Sequence, residues 1–297
     1  MKLNVNKNSS LLKLTNPETS ESLALSPTLG GTIVSLCLGP DLNEILENDS
    51  EVELQDNPLF RGRFLFPFND RIPDGKYSFS GKEYQLPINC SEDDSAIHGF
   101  MYNKEVSILE HTETEAVFYW RTGKDQIQGY PFDISLKTEI KLYNGGVKIF
   151  FTVRNEGEIP TPYALGWHSY FKTDQSSTLQ AVYPHYFEID KNFIAVGTGV
   201  PSQGSKFDFS KESYFSDLFL DHAFEVPDNG MTFLRNRDYS IKIEQENFAF
   251  TQLFIPPDKT SIAIEPISSK SNSFNSSDVL ILMPGEKYCA SVRIDLL

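Results

Sequence analysis

ISLKTEIKLYNGGVKIFFTVRN, running from Ile134 to Asn155, is the stretch whose reading decides the fold. Ile134, Leu136, Thr138, Ile140 and Leu142 share one face of a two-residue period, and Lys137, Glu139 and Lys141 share the other. Asn144-Gly145-Gly146 follows, which is hairpin-turn chemistry. Val147, Ile149, Phe151 and Val153 then alternate back. The pattern predicts two long antiparallel strands with one greasy and one wet face.

The same signal recurs outward from this hairpin. KYSFSGKEYQL predicts a second hairpin turning at Ser80-Gly81-Lys82. SIAIEPIS, DVLILMP and KYCASVRIDL read as late strands, with Pro266 expected to end regular pairing in the first. Helical periodicity is scarce, and Ser213 to Phe219 reads as one short turn or helix. Short strands separated by Gly, Pro, Asn and Asp predict an all-β antiparallel sandwich or barrel. No low-complexity linker divides the 297 residues and no fixed-period repeat appears, so 1–297 is expected to be one unit.

Composition narrows the function classes. Aromatic residues make up 13% of the chain, with 23 Phe and 13 Tyr, which suits half-buried pleated surfaces. The net charge of -15 argues against a nucleic-acid partner and against anionic membrane surfaces. Cys37, Cys90 and Cys289 are odd in number and far apart, so they predict buried free thiols rather than a metal site or disulfides. The start, MKLNVNKNSSLLKL, lacks the apolar core of a signal peptide, and no apolar run reaches membrane-spanning length. A cytoplasmic protein is expected.

The chemical candidates are few. His168 stands in ALGWHSYF, where Ala164, Gly166, His168 and Tyr170 share a strand face. Small residues beside a polar ring predict a hollow; a core histidine satisfied by a carbonyl is the simpler alternative. Glu265 ends the apolar run SIAIE on the face opposite Ile262 and Ile264. Burial there would raise its pKa and suit proton transfer, whereas a salt-bridged strand end would not. His98 precedes a glycine in SAIHGF, Arg71 follows an aromatic run in FPFNDRIPDG, and Asp221-His222 follows LFL. Each could bind a ligand, or be a turn residue, a snorkelling arginine and a cap. His111 is expected to be solvated, and His185 is left open. No Gly-rich phosphate loop, HExxH, Cys-x-x-Cys or Gly-x-Ser-x-Gly appears, which removes the commonest nucleotide, zinc and serine-hydrolase readings.

Five elements in order then resemble the aldose 1-epimerase (galactose mutarotase) family, from about Leu29 to the C-terminus. They are Asp70-Arg71-Ile72 with Gly75, Ile97-His98-Gly99, His168-Ser169-Tyr170-Phe171, Asp221-His222-Ala223-Phe224 and Glu265-Pro266. Asp70 stands where the family often has Asn, and GFMYNKEVSI and SSKSNSFNSSD look more like the branch related to aldose 1-epimerase. The resemblance implies a large antiparallel β-supersandwich. It implies Glu265 as catalytic base and His168 as catalytic acid, with Arg71, His98 and Asp221 binding the substrate. The implied activity is anomer interconversion of a neutral hexose by acid/base ring opening, with a small sugar as partner and no metal or cofactor. Two alternatives stay open: a hexose-6-phosphate 1-epimerase using Arg61 and Arg63 of FRGRF, and a non-catalytic sugar-binding protein. Monomer and homodimer are not distinguished.

Overall fold

The long hairpin forms as the alternation predicts, with strands Ile134–Tyr143 and Gly146–Asn155 in unbroken register from Ile134↔Asn155 to Tyr143↔Gly146. Ile134, Leu136, Ile140, Leu142, Val147, Ile149, Phe151 and Val153 are all buried, while Lys141 and Phe150 face solvent. Burying eight such side chains contributes on the order of 15 kcal/mol gross, before chain entropy opposes it. This computed structural model describes residues 11–297 except 48, 50, 124–126 and 229. Most of the leader on which the signal-peptide reading rests, residues 1–10, lies outside the described residues.

The hairpin supplies the third and fourth strands of a nine-stranded antiparallel sheet. Its order is Ser107–His111, Glu115–Arg121, Ile134–Tyr143, Gly146–Asn155, Lys287–Leu296, Ser240–Glu246, Gly230–Arg235, Thr178–Ala181 and Ser213–Tyr214. A second sheet of eight strands includes Asp221–Glu225, Phe250–Phe254, Ser261–Ile267, Gly166–Trp167 and Phe64–Leu65 side by side, and Tyr170–Lys172 also pairs with Ser261–Ile267. The two sheets meet through aromatics: Phe64 of the second packs edge-on against Phe151 of the first, 5.5 Å between ring centres. A four-stranded N-terminal sheet is tied to the hairpin by buried Glu21, whose carboxylate accepts the Gly145 amide at 2.9 Å and the Gly39 amide at 2.7 Å. The all-β antiparallel expectation therefore holds.

Several local expectations are corrected. The second hairpin forms over Lys76–Phe79 and Lys82–Gln85, but its turn is Ser80-Gly81 alone, both with positive φ. Over Ser213 to Phe219 the turn alternative holds, at Ser216-Asp217, but Ser213–Tyr214 before it is a short strand, and Phe215 is buried. Pro266 does not end its strand: it pairs opposite Thr251, and the strand runs on to Ile267. Alternate amides of a strand point to opposite edges. The Ile264 amide donates to the Ser169 carbonyl, so the Pro266 nitrogen faces that same edge. There the neighbouring chain breaks between Trp167 and Tyr170, and no ladder bond is lost. The thiols are not buried: Cys37 and Cys90 are half-buried and Cys289 is exposed, though all three are free. His111 is exposed on the edge strand, as expected, and His185 pairs with Glu225 at 2.5 Å near the surface.

Candidate active site

One face of the second sheet lines a cavity of about 1120 Å³, into which Arg71, His98, His168, Asp221 and Glu265 all converge. Strand register explains three of them. Gln252 lies directly opposite Glu265, and Ala223, two residues beyond Asp221, lies opposite Gln252. With a two-residue period, Asp221, Gln252 and Glu265 therefore share one face. The Gln252 amide donates to Asp221 Oδ1 at 2.8 Å, which fixes the carboxylate.

His168 sits where the chain leaves the sheet between Gly166–Trp167 and Tyr170–Lys172. Its backbone is held on both sides, donating to the Arg63 carbonyl and accepting from the Gly62 amide, each at 2.9 Å. Its ring stacks parallel to Tyr170, 5.0 Å between centres and 5° apart, and lies 6.3 Å from Phe60 at 13°. Nδ1 lies 3.4 Å from Glu265 Oε1 but makes no hydrogen bond. The hollow is not made by Ala164 and Gly166, which are absent from the cavity wall. The space beside Gly166 is filled by Ile267, Asn69 and Leu65; a Cβ there would meet them at 3.0–3.3 Å. The cavity is instead walled by strands of the second sheet and by loops gathered around them.

His98 takes a left-handed conformation, φ 62°, and Gly99 after it has φ 72°. Only glycine fits at 99, because a Cβ would lie 2.2 Å from the Phe66 carbonyl oxygen. His98 Nδ1 is 2.9 Å from the Asn69 carbonyl. A carbonyl can only accept, so Nδ1 carries the proton and Nε2 is left as an acceptor. Arg71 follows Asp70 and is held by it and by Asp93: Nε donates to Asp93 Oδ2 at 2.6 Å, and Nη1 is 3.7 Å from Asp70 Oδ1. Its guanidinium also lies over the Phe193 ring, 5.1 Å from the centre.

Burial dominates the electrostatics. It pushes Glu265 well above the usual carboxylate range, and the nearby Asp70 and Asp221 push it further. It holds His168 well below the usual imidazole range, with His98, Arg71 and Arg61 acting the same way. His98 is lowered by burial to about 3, and Asp221 is raised by burial to about 6 against the pull of Arg71. Asp70 is raised by burial too. The 3.4 Å approach of Glu265 and His168 would suit an ion pair, yet both groups are driven toward their neutral forms. Moving one proton across that gap turns a neutral pair into carboxylate and imidazolium without changing the charge of the site. Such a pair can take a proton from one substrate oxygen and give one to another.

The structure thus brings together all five residues singled out in the sequence. It adds Asn69, Asp70, Asp93, Tyr170, Phe60 and Gln252. The polar Gln252 in the apolar run FAFTQLF was a readable signal; Asp93 and Phe60 lie in loops with none. Arg61 and Arg63 are neither solvated nor free. Arg63 is buried and gives Nε to Asn57 and Nη1 to Thr32 and the Leu29 and Tyr102 carbonyls, with Nη2 on the Leu54 carbonyl. Arg61 pairs with Asp49 at 2.7 Å.

Comparison with known proteins bears on the family and the fold. A protein from Escherichia coli K12, "Uncharacterized protein YihR", is 27% identical over 241 residues, 76% of each chain. Mouse galactose mutarotase is 30% identical over 166 residues, 53% of this chain but only 47% of its own length. Among solved structures, a Caenorhabditis elegans GalM/aldose epimerase homologue superposes with TM-score 0.85 at 18% identity, covering 97% of this chain and 99% of that one. A putative aldose 1-epimerase from Escherichia coli K12 superposes with TM-score 0.82 at 19% identity and the same coverage, which confirms the β-supersandwich. No helix among the described residues is long and apolar enough to cross a membrane. The family model for aldose 1-epimerase matches residues 10–295, and the chain belongs to that family.

Proposed function

We propose that this protein is a cytoplasmic aldose 1-epimerase that interconverts the anomers of a neutral hexose, with Glu265 as base and His168 as acid. The observation that carries this reading is the Glu265–His168 pair, 3.4 Å apart and buried at the wall of a cavity that Arg71, His98 and Asp221 also line. Glu265, as carboxylate, takes the proton from the anomeric hydroxyl. The O1 electron pair closes to a carbonyl and the C1–O5 bond breaks. O5 receives the bond's electrons and a proton from His168. Rotation about C1–C2 presents the other carbonyl face, and the same steps run backwards. Each positioned proton transfer is worth about 10²–10⁴-fold.

The remaining groups suit a neutral polyol. His98 Nε2 accepts a hydrogen bond from one hydroxyl, Asp221 accepts from another, and the Nη atoms of Arg71, whose Nε is held by Asp93, donate to sugar oxygens. The phosphorylated alternative finds little support. Arg61 and Arg63 are engaged, and Lys259, on the cavity wall, donates to the Ser216 carbonyl at 2.8 Å. Asp70 and Asp93 meanwhile hold Arg71, and Asp221, raised only to about 6, is charged at neutral pH and would oppose a dianion. Exchange NMR of anomer interconversion over a panel of neutral and phosphorylated aldoses tests the reading. Acceleration is expected for at least one neutral hexose; folded protein that accelerates none overturns it.

A further inference from the structure

His168 lacks the usual device for holding a proton-transfer imidazole. Such a ring is ordinarily oriented by a hydrogen bond from its second nitrogen to a carboxylate or carbonyl. Here Nδ1 makes none. What holds the ring is a stack and a backbone brace, and both lead to Arg61. The Arg61 guanidinium lies 5.5 Å from the centre of the Tyr170 ring, and Tyr170 is the ring lying parallel to His168 at 5.0 Å. Arg61 also begins the segment whose Gly62 amide and Arg63 carbonyl clasp the His168 peptide. Asp49 fixes that arginine: its carboxylate is fully buried, Arg61 is nearly so, and they pair at 2.7 Å. Arg61 is not part of the cavity wall, so it reaches the chemistry through these neighbours and through its charge.

We propose that Arg61 is a positioning residue: locked by Asp49, it fixes Tyr170 and the peptide at Gly62, and through them sets the orientation of the His168 imidazole. The proposal rests on the epimerase reading for its kinetic consequences, while its geometric claim stands on its own. It gives a role to an arginine that the sequence offered as a phosphate ligand. The charged or titratable groups around His168 are Glu265, His98, Tyr170 and Arg71, with Arg61 beyond the Tyr170 ring. Removing the Arg61 charge takes away one influence that disfavours imidazolium. The limb of the rate profile set by His168 then moves to higher pH.

The test uses the full chain with Arg61→Met and Arg61→Lys, and glucose beside glucose 6-phosphate as substrates. Arg61→Met is expected to lower kcat about 10-fold or more with KM for glucose within about twofold, since a misplaced catalytic group loses rate and not affinity. Arg61→Lys, which keeps the charge and the Asp49 pair, is expected to recover most of kcat. An unchanged kcat per folded molecule overturns the proposal. So does a loss confined to KM, or one confined to glucose 6-phosphate. Should Arg61→Met not fold, Asp49→Asn frees the same guanidinium and is expected to lower kcat in the same direction. An NMR readout is independent of turnover: the His168 imidazole resonances, assigned by their loss in His168→Asn, are expected to shift in the Arg61 or Asp49 variants. Unshifted resonances overturn the proposal even where no sugar reacts. Shifted resonances, with no neutral hexose of the panel accelerated by the native protein, uphold the positioning role and overturn the epimerase reading instead.

Discussion

Asp221→Asn isolates one consequence of crowding three carboxyl groups around Arg71. Burial raises Asp221 from its ordinary 3.8 to about 6. A group whose folded-state pKa is raised binds its proton more tightly in the folded than in the unfolded chain. Its stabilising share is therefore complete below about pH 3.8 and is lost as pH rises through about 6. At about 1.4 kcal/mol per pH unit, the loss is about 3 kcal/mol for the fully ionised group. Asn does not titrate and keeps a polar partner for Gln252, and Arg71 keeps Asp70 and Asp93, so no buried charge is orphaned. The variant should gain about 3 kcal/mol over the native protein at pH 7.5 relative to the same comparison at pH 3.5. Urea unfolding of both proteins at the two pH values measures that double difference. A value under about 1 kcal/mol, or of opposite sign, refutes the burial argument for Asp221. Sugar affinity is expected to fall in the same variant, because an amide replaces a charged acceptor. The gain in stability would then come with a loss of binding, as expected where a site holds charges that folding alone would not choose.

Glu265→Gln keeps volume and hydrogen bonding but removes the base; kcat for anomer exchange should fall by about 10²-fold, or roughly 3 kcal/mol, with affinity changed far less. Near-normal turnover would make Glu265 a structural strand residue. His168→Asn should leave the fold intact and remove most activity, which thermal unfolding and exchange NMR read separately. Arg71→Lys should weaken sugar binding, measured by calorimetric titration, because a point charge replaces a planar fork whose Nε is already committed to Asp93. Gly99→Ala should destabilise by at least about 2 kcal/mol in urea unfolding, since the backbone oxygen of Phe66 blocks any Cβ at a positive φ.

The sequence by itself determined the strands that bury one face. From Ile134 to Asn155 the period of two is carried by side chains whose burial is worth several kcal/mol, so the alternation, the turn and the register are all local information. It also singled out Arg71, His98, His168, Asp221 and Glu265, each in a short element of its own, and all five line the same cavity. Tertiary structure alone decided what surrounds those residues. The hollow beside His168 was read from Ala164 and Gly166, but packing by Ile267, Asn69 and Leu65 closes that space, and distant loops open another. Pro266 breaks a strand only where its missing amide would have had a partner; here the opposing chain had already left the sheet. Arg61 and Arg63 looked free because a sequence shows charge but not its counterparts. Asp49 and a ring of backbone carbonyls claim them only once the chain has folded. The pKa values of Glu265, His168 and Asp221 belong to the same class: desolvation is set by everything around a group, and no neighbour in sequence encodes it.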